Sequence, residues 1–293
     1  MRNQFVNLLH RWAETDPHVS LIVGDLGYGV VDGFAQTLPA QFINAGIAEQ
    51  SMMTMAAGMA SEGFRPFVYS IANFPTFRAA EQIRNDVAHH RLPVTVVAVG
   101  GGLVYGSLGY SHHAVQDYAL MRSMPEMTVY APGDPHEMDA VFALMQRDAV
   151  PAYLRIGNPS TPAVHEGPVV VEPGTLLHVA GPVGATRAII TTGAVLGLAR
   201  HWLDLPEYEG YALYSMPAWG AAYRVRALDA LAPFEHVVTV EDHLLDGGFG
   251  SWLLESIATG GRHTSVRIKA LDPAVAEAVG KEDHLRIVGG LVP

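Results

Sequence analysis

The sequence predicts an α/β protein of two consecutive domains, each built on a mostly parallel β-sheet. Short apolar segments of strand length alternate with segments of helical periodicity along most of the chain. A Pro- and Gly-rich stretch interrupts this alternation near the middle. The length of 293 residues is about twice that of a usual domain, and 49% of the residues are hydrophobic. The chain is therefore long and apolar enough to fill two cores.

The first half contains five predicted strands, each separated from the next by a helix. Phe5, Leu8, Leu9 and Trp12 give the first helix its period, and Asp134 is placed to cap the last one. The predicted helices cover 3–15, 47–61, 76–91, 114–124 and 135–147, and the predicted strands cover 20–23, 65–70, 93–99, 127–131 and 152–155. Strands joined by single helices predict a parallel sheet with helices on both faces.

The second half repeats this alternation after a linker. Its predicted strands cover 188–191, 211–214, 236–240 and 265–268, and its predicted helices cover 194–203, 224–231 and 249–259. We therefore expect a first domain over residues 1–160, a linker over 161–174 and a second domain over 175–293.

Composition excludes several classes of function. The net charge of −11 argues against binding to nucleic acid or to an anionic membrane surface. The absence of cysteine excludes disulfides, thiolate metal sites and a cysteine nucleophile. Charged residues interrupt the N-terminal segment, and no uncharged apolar run approaches membrane-spanning length, so the expectation is a cytoplasmic protein. Its 30 Gly and 11 Met suggest surfaces that another molecule buries.

Glu49 is the first candidate for chemistry. It is the only acid between Asp32 and Glu62, it lies among small and flexible apolar residues, and no Lys or Arg occurs between Arg11 and Arg65. Burial without a neighbouring cation favours the protonated form of a carboxyl. The alternative is an ordinary first-turn acid that the helix dipole stabilises.

A second candidate is the glycine-punctuated loop that ends in His112 and His113. It follows a buried strand, and ligands of open α/β sheets bind outside the carboxyl ends of strands. A purely structural loop histidine is the alternative for each. Two glycine-rich segments, residues 27–31 and 100–104, do not complete the Gly-x-Gly-x-x-Gly fingerprint of dinucleotide-binding proteins. The chain also has no Walker-A motif. It therefore lacks a phosphate cradle of its own.

Several segments, in order, resemble transketolases and 1-deoxyxylulose-5-phosphate synthases. The segment 42–50, Phe-Ile-Asn-Ala-Gly-Ile-Ala-Glu-Gln, resembles the helix that carries their thiamine-activating glutamate. Residues 109–113, Gly-Tyr-Ser-His-His, resemble their Gly-Pro-Thr-His-Gln loop, and 124–132 resemble the strand after it. Thr239-Val240-Glu241-Asp242-His243 and the segment 247–251 are similar to their C-terminal domain.

The resemblance covers only the pyrimidine-binding and C-terminal domains of that family. It implies a thiamine-diphosphate enzyme whose diphosphate and Mg²⁺ are held mainly by a companion subunit, because the family's Gly-Asp-Gly…Asn motif is absent and Gly24-Asp25-Leu26 does not replace it. The implied assembly is an α2β2 heterotetramer. The implied reaction is transfer of a two-carbon ketol unit between sugar or sugar-phosphate substrates.

The same resemblance implies roles for individual residues. Glu49 would hydrogen-bond the cofactor's pyrimidine nitrogen and so activate it. Asp25 would lie near the cofactor, unless it is only a turn residue. Phe74 and Phe77 would stack on the pyrimidine, unless they are core aromatics. On the substrate side, His112 would act as hydrogen-bond donor or proton shuttle, with His113 beside it. Arg155 would bind the substrate's anionic group, since its planar fork suits phosphate, sulfonate or carboxylate.

The sequence also departs from the transketolase pattern on the substrate side. Leu108 stands where transketolases have an aspartate that contacts a substrate hydroxyl, and Gly100 stands where they have a substrate-facing histidine. Tyr110 and His113 replace the Pro and Gln of the loop. The thiamine half of the site therefore resembles the family more closely than the sugar half does.

Three interpretations remain open from the sequence. The first is the split transketolase, which the His-containing loop favours. The second is an acyl-forming relative, either a 2-oxo-acid dehydrogenase β subunit or a synthase subunit that decarboxylates pyruvate. The third is a non-catalytic assembly subunit, against which a buried Glu49 argues because burying a carboxyl without a task is costly.

Overall fold

The computed structural model describes residues 1–158, 160–261 and 263–293 and contains two β-sheets that follow one another along the chain. The first sheet has seven strands, in the order β10 (Ala218–Trp219), β5 (Thr128–Tyr130), β6 (Ala152–Ile156), β4 (Thr95–Val99), β3 (Arg65–Ile71), β1 (Val19–Val23) and β2 (Phe42–Asn44). The second has five, in the order β12 (Ser265–Leu271), β11 (His236–Leu244), β8 (Arg187–Thr191), β9 (Ala212–Ser215) and β7 (Leu177–Ala180). All described strand pairs are parallel except β10 with β5 and β7 with β9, which lie at sheet edges. The predicted fold class, α/β with two mostly parallel sheets, is confirmed.

The first sheet is built mainly from buried apolar strands. These strands are β1 (Val19–Val23), β2 (Phe42–Asn44), β3 (Arg65–Ile71), β4 (Thr95–Val99), β5 (Thr128–Tyr130) and β6 (Ala152–Ile156). Every residue of β1, β4 and β6 is buried, as expected for parallel strands that helices cover on both faces. The helices of this half are α1 (Arg2–Ala13), α2 (Asp32–Thr37), α3 (Glu49–Ser61), α4 (Asn73–Phe77), α5 (Ala80–Gln82), α6 (Asp117–Arg122) and α7 (Pro135–Arg147).

The second half supplies the other sheet and one strand of the first. Its strands are β7 (Leu177–Ala180), β8 (Arg187–Thr191), β9 (Ala212–Ser215), β10 (Ala218–Trp219), β11 (His236–Leu244) and β12 (Ser265–Leu271). Its helices are α8 (Leu196–Trp202), α9 (Arg224–Leu231), α10 (Phe249–Gly260) and α11 (Glu282–Val288). Within the described ranges, no helix has both the length and the apolar character that crossing a membrane requires.

The two halves share one apolar core. Strand β10 leaves the second half and pairs antiparallel with β5, so that Trp219 lies opposite Val129. Trp219 then packs against Tyr118 of the first half and Phe249 of the second, with ring centroids 5.2 and 5.3 Å apart. A two-residue strand has too few residues for periodicity to reveal it, so the sequence does not predict this crossing.

Two predicted helices differ from the observed ones. The helix expected over 76–91 is divided into α4, α5 and a π-helical turn over Ile83–Ala88, because the backbone leaves the helical region at Ala79. The helix expected over 114–124 begins only at Asp117, because Ala114 exchanges two backbone hydrogen bonds with Gly102. By contrast, α7 has the predicted bounds, and the cap is confirmed: Asp134 accepts a hydrogen bond from the backbone N–H of Glu137 at 2.9 Å.

Candidate active site

Glu49 is the first residue of α3 and only 6% exposed. Gly46, at φ +72°, forms the turn that leads into this helix, a conformation that favours glycine. The helix dipole favours a carboxylate in the first turn. The expectation that no cation lies near Glu49 is wrong: Arg78 Nη1 lies 2.7 Å from Glu49 Oε1. Sequence reasoning missed this pair because a neighbouring helix, not the local sequence, supplies the arginine.

Arg78 also connects Glu49 to the predicted cofactor aromatics. Its guanidinium carbon lies 4.2 Å from the centroid of the Phe74 ring, within cation–π distance. Phe74 is partly buried and Phe77 is 47% exposed, so the alternative that both are core aromatics is wrong. The exposed ring of Phe77 is free to stack against a ligand.

His112 contacts the same Phe74 ring. The two rings meet edge to face with centroids 5.3 Å apart, and Ser111 Oγ lies 3.0 Å from His112 Nδ1. Burial lowers the pKa of His112, and the charges on His113 and Arg78 lower it further. The His112 ring therefore stays neutral down to a lower pH than the ring of an ordinary histidine does. A neutral imidazole can both accept and donate a proton.

Asn73 holds the His112 loop in place. Its Nδ2 donates hydrogen bonds to the carbonyl oxygens of Ser111 at 3.1 Å and His113 at 2.9 Å, the residues on either side of His112. Sequence reasoning did not single out Asn73, although it immediately precedes Phe74. Its role depends on a contact that spans about forty positions and has no local sequence signal.

His113 is 1% exposed, unlike its neighbour His112. Its Nε2 lies 3.3 Å from the carbonyl oxygen of Gly106, and this hydrogen bond connects the ring to the start of its own loop. The ring also forms part of a cavity wall with Phe74, Phe77 and Tyr110. The structure thus brings His113 to the site as a wall residue with one ring nitrogen already engaged.

Asp25 lies at the carboxyl end of β1 in an exposed turn with φ +54°. Hydrogen bonds from Tyr28 Oη at 2.8 Å and Asn44 Nδ2 at 3.2 Å lower the pKa of its carboxyl. Asn44 Oδ1 in turn accepts from the backbone N–H of Gly46 at 3.0 Å. Asn44 therefore links the Asp25 turn to the turn that precedes Glu49.

Arg155 disagrees with the prediction of a substrate-binding arginine. It is 3% exposed and its guanidinium lies between two carboxylates, with Nε 2.7 Å from Asp117 Oδ2 and Nη1 2.5 Å from Asp242 Oδ1. Burial opposes the charge of Arg155, but the two ion pairs outweigh it and raise the pKa of the guanidinium. In this geometry the arginine joins the two halves of the chain, and its guanidinium is engaged by these two carboxylates.

Two cavities flank this row of residues. One of about 400 Å³ opens beside Glu49 and is lined by residues 47–51 and Arg78. The other, about 670 Å³, lies between α4, α6 and the loop before α6, and Phe74, Phe77 and Arg78 form one end of it. Within the described residues, no group of three or more His, Cys, Asp or Glu side chains could hold a metal ion.

Comparison with known proteins identifies the family of the chain. The family described as the transketolase pyrimidine binding domain matches residues 1–162. One of the subunits of the apulose-4-phosphate transketolase from Phocaeicola vulgatus is 30% identical over 275 residues, which cover 88% of this chain and 83% of that protein. A putative transketolase C-terminal section from Methanocaldococcus jannaschii is 31% identical over 270 residues, covering 88% and 81% of the two chains.

Longer relatives and solved structures match the same region. The 1-deoxy-D-xylulose-5-phosphate synthase of Heliobacterium modesticaldum is 32% identical over 276 residues, covering 90% of this chain and 41% of the synthase. A solved split gene transketolase, described as an inactive β4 tetramer, has a TM-score of 0.86 and 27% identity and covers 99% of this chain and 93% of its own. The resemblance predicted from sequence is therefore confirmed, and the chain belongs to the transketolase family.

Proposed function

We propose that this chain is one subunit of a two-chain, thiamine-diphosphate-dependent transketolase that moves a two-carbon ketol unit from a donor to an aldehyde. The observation that carries the proposal is a continuous row of contacts along one end of the first sheet. Glu49 pairs with Arg78, Arg78 covers Phe74, and the Phe74 ring meets His112. A cofactor-activating carboxyl and a substrate-facing histidine are thereby joined through one aromatic ring.

The residues present fit thiamine diphosphate. A buried carboxyl at a helix start with a cavity beside it, together with the partly buried ring of Phe74 and the exposed ring of Phe77, suits a flat aminopyrimidine. Glu49 would hold its nitrogen, with Phe74 and Phe77 against its faces and Asp25 near the outer edge. When bound, the cofactor supplies the nucleophilic carbon that attacks the donor's carbonyl group.

The chain's own residues would bind and orient the cofactor and the substrate and would move protons. Glu49 would share a proton with the ring nitrogen, and Arg78 would hold the carboxyl in the orientation that this hydrogen bond needs. His112 would donate a hydrogen bond or a proton to the substrate's carbonyl oxygen. Asn73 would fix the position of His112 through the two flanking carbonyl groups.

The proposal includes a companion chain. The sequence lacks the Gly-Asp-Gly…Asn motif, so a partner with that motif would hold most of the diphosphate and the Mg²⁺, in an α2β2 heterotetramer. A relative that is named as a single subunit of a transketolase and a solved relative named as a split gene transketolase support this division. Exposed Ile47, two residues before Glu49, offers an apolar surface to such a partner.

A second candidate function is a synthase that decarboxylates pyruvate, because a 1-deoxy-D-xylulose-5-phosphate synthase is 32% identical over 90% of this chain. The two candidate functions differ in the donor substrate that they require. A transketolase consumes a ketose or hydroxypyruvate, whereas the synthase consumes pyruvate. Incubating the reconstituted pair of chains with each donor and identifying the ketose product decides between them.

Glu49→Gln tests the first candidate. Glutamine keeps the side chain's size but cannot share a proton, so turnover should fall at least about 100-fold, while calorimetry should still detect thiamine diphosphate binding to the two-chain complex. Glu62→Gln, at the exposed C-terminal end of the same helix, is the matched control and should retain activity. Full activity in Glu49→Gln, or no cofactor binding by the native complex, would refute the proposal.

A further inference from the structure

A third cavity lies where the two halves of the chain meet. Its walls are the loop after β4, at Val104 and Ser107, one side of α8, and the segment 280–286 that leads into α11. Described residues after β6 close the remaining side. The cavity shares no described lining residue with the two cavities beside Glu49 and α4. Its volume of about 560 Å³ is in the range of small-molecule sites.

Three exposed polar side chains that line this third cavity are available to a ligand. Within the described ranges, the Lys281 ammonium has no ion-pair or hydrogen-bond partner, and neither has the Ser107 hydroxyl or the His201 ring. An ammonium group can only donate hydrogen bonds, and a hydroxyl or an imidazole can donate as well. A set of donors without internal acceptors suits a ligand that is rich in oxygen acceptors.

The two acids in the cavity wall are already engaged by other residues. Glu282 Oε1 lies 2.6 Å from Arg286 Nη2, and Glu282 Oε2 accepts a hydrogen bond from Asn158 Nδ2 at 3.3 Å. Asp283 lies 3.4 Å from Arg286 Nη1 and is 95% exposed, so water and salt screen its charge. Among the described lining residues, Lys281 is therefore the cation that has no carboxylate partner. An anionic group of a ligand would find its counter-charge there.

The wall of this cavity also holds the start of the loop that carries His112. Gly280, which lines the cavity, donates a hydrogen bond from its backbone N–H to the carbonyl oxygen of Gly106 at 3.3 Å. His113 Nε2 lies 3.3 Å from the same oxygen. A methyl group on Gly106 would overlap the side chain of Leu285, so α11 lies directly on this turn. One peptide group thus connects the cavity wall to the His112 loop.

From these observations we infer that the cavity between α8 and α11 binds a small hydroxylated anion, a phosphate ester or a carboxylate, and that the bound ligand activates the enzyme. The anionic group pairs with Lys281, and the hydroxyl groups form hydrogen bonds with Ser107 and His201. A ligand that bridges Lys281 and Ser107 holds the turn at Gly106 against α11 and so fixes the position of His112. The binding depends only on this chain's residues, whereas the activation rests on the proposed function.

Calorimetry with the full chain tests the binding site with two probes, glycerol 2-phosphate and malate. Each probe has an anionic group and a hydroxyl group but no aldehyde or ketone, so neither can serve as donor or acceptor in the proposed reaction. We expect one-to-one binding of at least one probe, and the stronger of the two identifies the anion as a phosphate ester or a carboxylate. Binding of neither probe would overturn the inference and leave the proposed function intact.

A pair of lysine variants makes the binding test specific to this cavity. Lys281→Met removes an exposed ammonium, and the Kd of the probe should rise at least about tenfold, because a charge-assisted hydrogen bond is lost. Lys269→Met removes the other lysine of the chain, which lies in β12 outside the cavity lining, and should leave the Kd unchanged. An unchanged Kd in Lys281→Met would mean that the probe binds elsewhere and would overturn the inference.

Activation is measured in the two-chain holoenzyme with hydroxypyruvate and D-glyceraldehyde as substrates. A saturating concentration of the bound probe should raise kcat/KM at least about fivefold in the native enzyme and should not do so in Lys281→Met. Binding without a change in kcat/KM contradicts the inference. If Lys281→Met weakens association of the two chains and neither probe binds, the cavity holds the companion chain and the inference is wrong. A holoenzyme that consumes no donor even without a probe would refute the proposed function and the activation with it, while the binding result would stand.

Discussion

Asn73 shows how one side chain can hold a neighbouring loop of the site in position. Its two hydrogen bonds straddle His112, and its own Oδ1 is buried without a partner among the described residues. The orientation of the Asn73 amide is therefore fixed only by the two hydrogen bonds that its Nδ2 donates. An aspartate at this position would place a carboxylate against two carbonyl oxygens, which is repulsive.

Replacing Asn73 by Ala should release the loop and misplace His112. We expect kcat/KM to fall about 10- to 100-fold, because small misplacements of catalytic groups are costly. The pKa of His112, measured by NMR, should rise towards its ordinary value, since burial is the main cause that lowers it.

The control for this prediction is Asn7→Ala, at an exposed asparagine of α1. It should change neither quantity. A purely structural role for Asn73 would lower stability in Asn73→Ala without altering the pKa of His112, and that result would contradict the prediction.

At the scale of elements, the strands and helices with strong local signals were predictable. Helix α7 begins at a capping Asp134 followed by proline and has an apolar face, so its bounds follow from local chemistry. Glu49 was singled out because it is the one acid in an apolar segment. The Glu49–Arg78 pair and the buried state of Arg155 were not predictable, because each depends on side chains that meet only through the tertiary fold.

Strand β11 and helix α10 are joined by a buried carboxyl. Glu241 accepts hydrogen bonds from the backbone N–H groups of Phe249 and Gly250, which begin α10. Burial raises the pKa of Glu241 from its ordinary 4.5 to about 8, against the effect of those two donors. The carboxyl thus satisfies the helix start while remaining protonated at neutral pH.

This shift predicts a pH dependence of stability. Between pH 4.5 and about 8 the unfolded chain ionises at Glu241 and the folded chain keeps the proton, so the unfolded state binds fewer protons. The contribution of Glu241 to the free energy of unfolding is complete below pH 4.5 and is lost as the pH rises to about 8. The free energy of unfolding should therefore decline by up to about 1.4 kcal/mol per pH unit from this group.

Urea denaturation of the native chain and Glu241→Gln at several pH values between 5 and 8 measures this contribution. The glutamine variant should show a shallower decline, because its side chain does not titrate. Glu235→Gln, at an exposed glutamate just before β11, should keep the native slope. Equal slopes in the native chain and Glu241→Gln would contradict the assignment.

For the whole molecule, the buried charges around Arg155 connect the two halves of the chain. Asp117 comes from the first half and Asp242 from the second, and Tyr118 covers the guanidinium at 4.3 Å. Arg155→Met should leave two buried carboxylates uncompensated and lower the free energy of unfolding by about 3–5 kcal/mol, measured by urea denaturation. Adding Asp117→Asn and Asp242→Asn should restore most of that loss, because the remaining charges are then removed.

An exposed ion pair serves as the control for Arg155→Met. Arg267 pairs with Glu207 at 3.2 Å on the surface of the second half, so Arg267→Met should cost less than about 1 kcal/mol. If Arg155→Met costs as little, its guanidinium must be hydrated and accessible in solution, and an anion-binding role for it regains support. If it costs several kcal/mol, the arginine is committed to holding the two halves together.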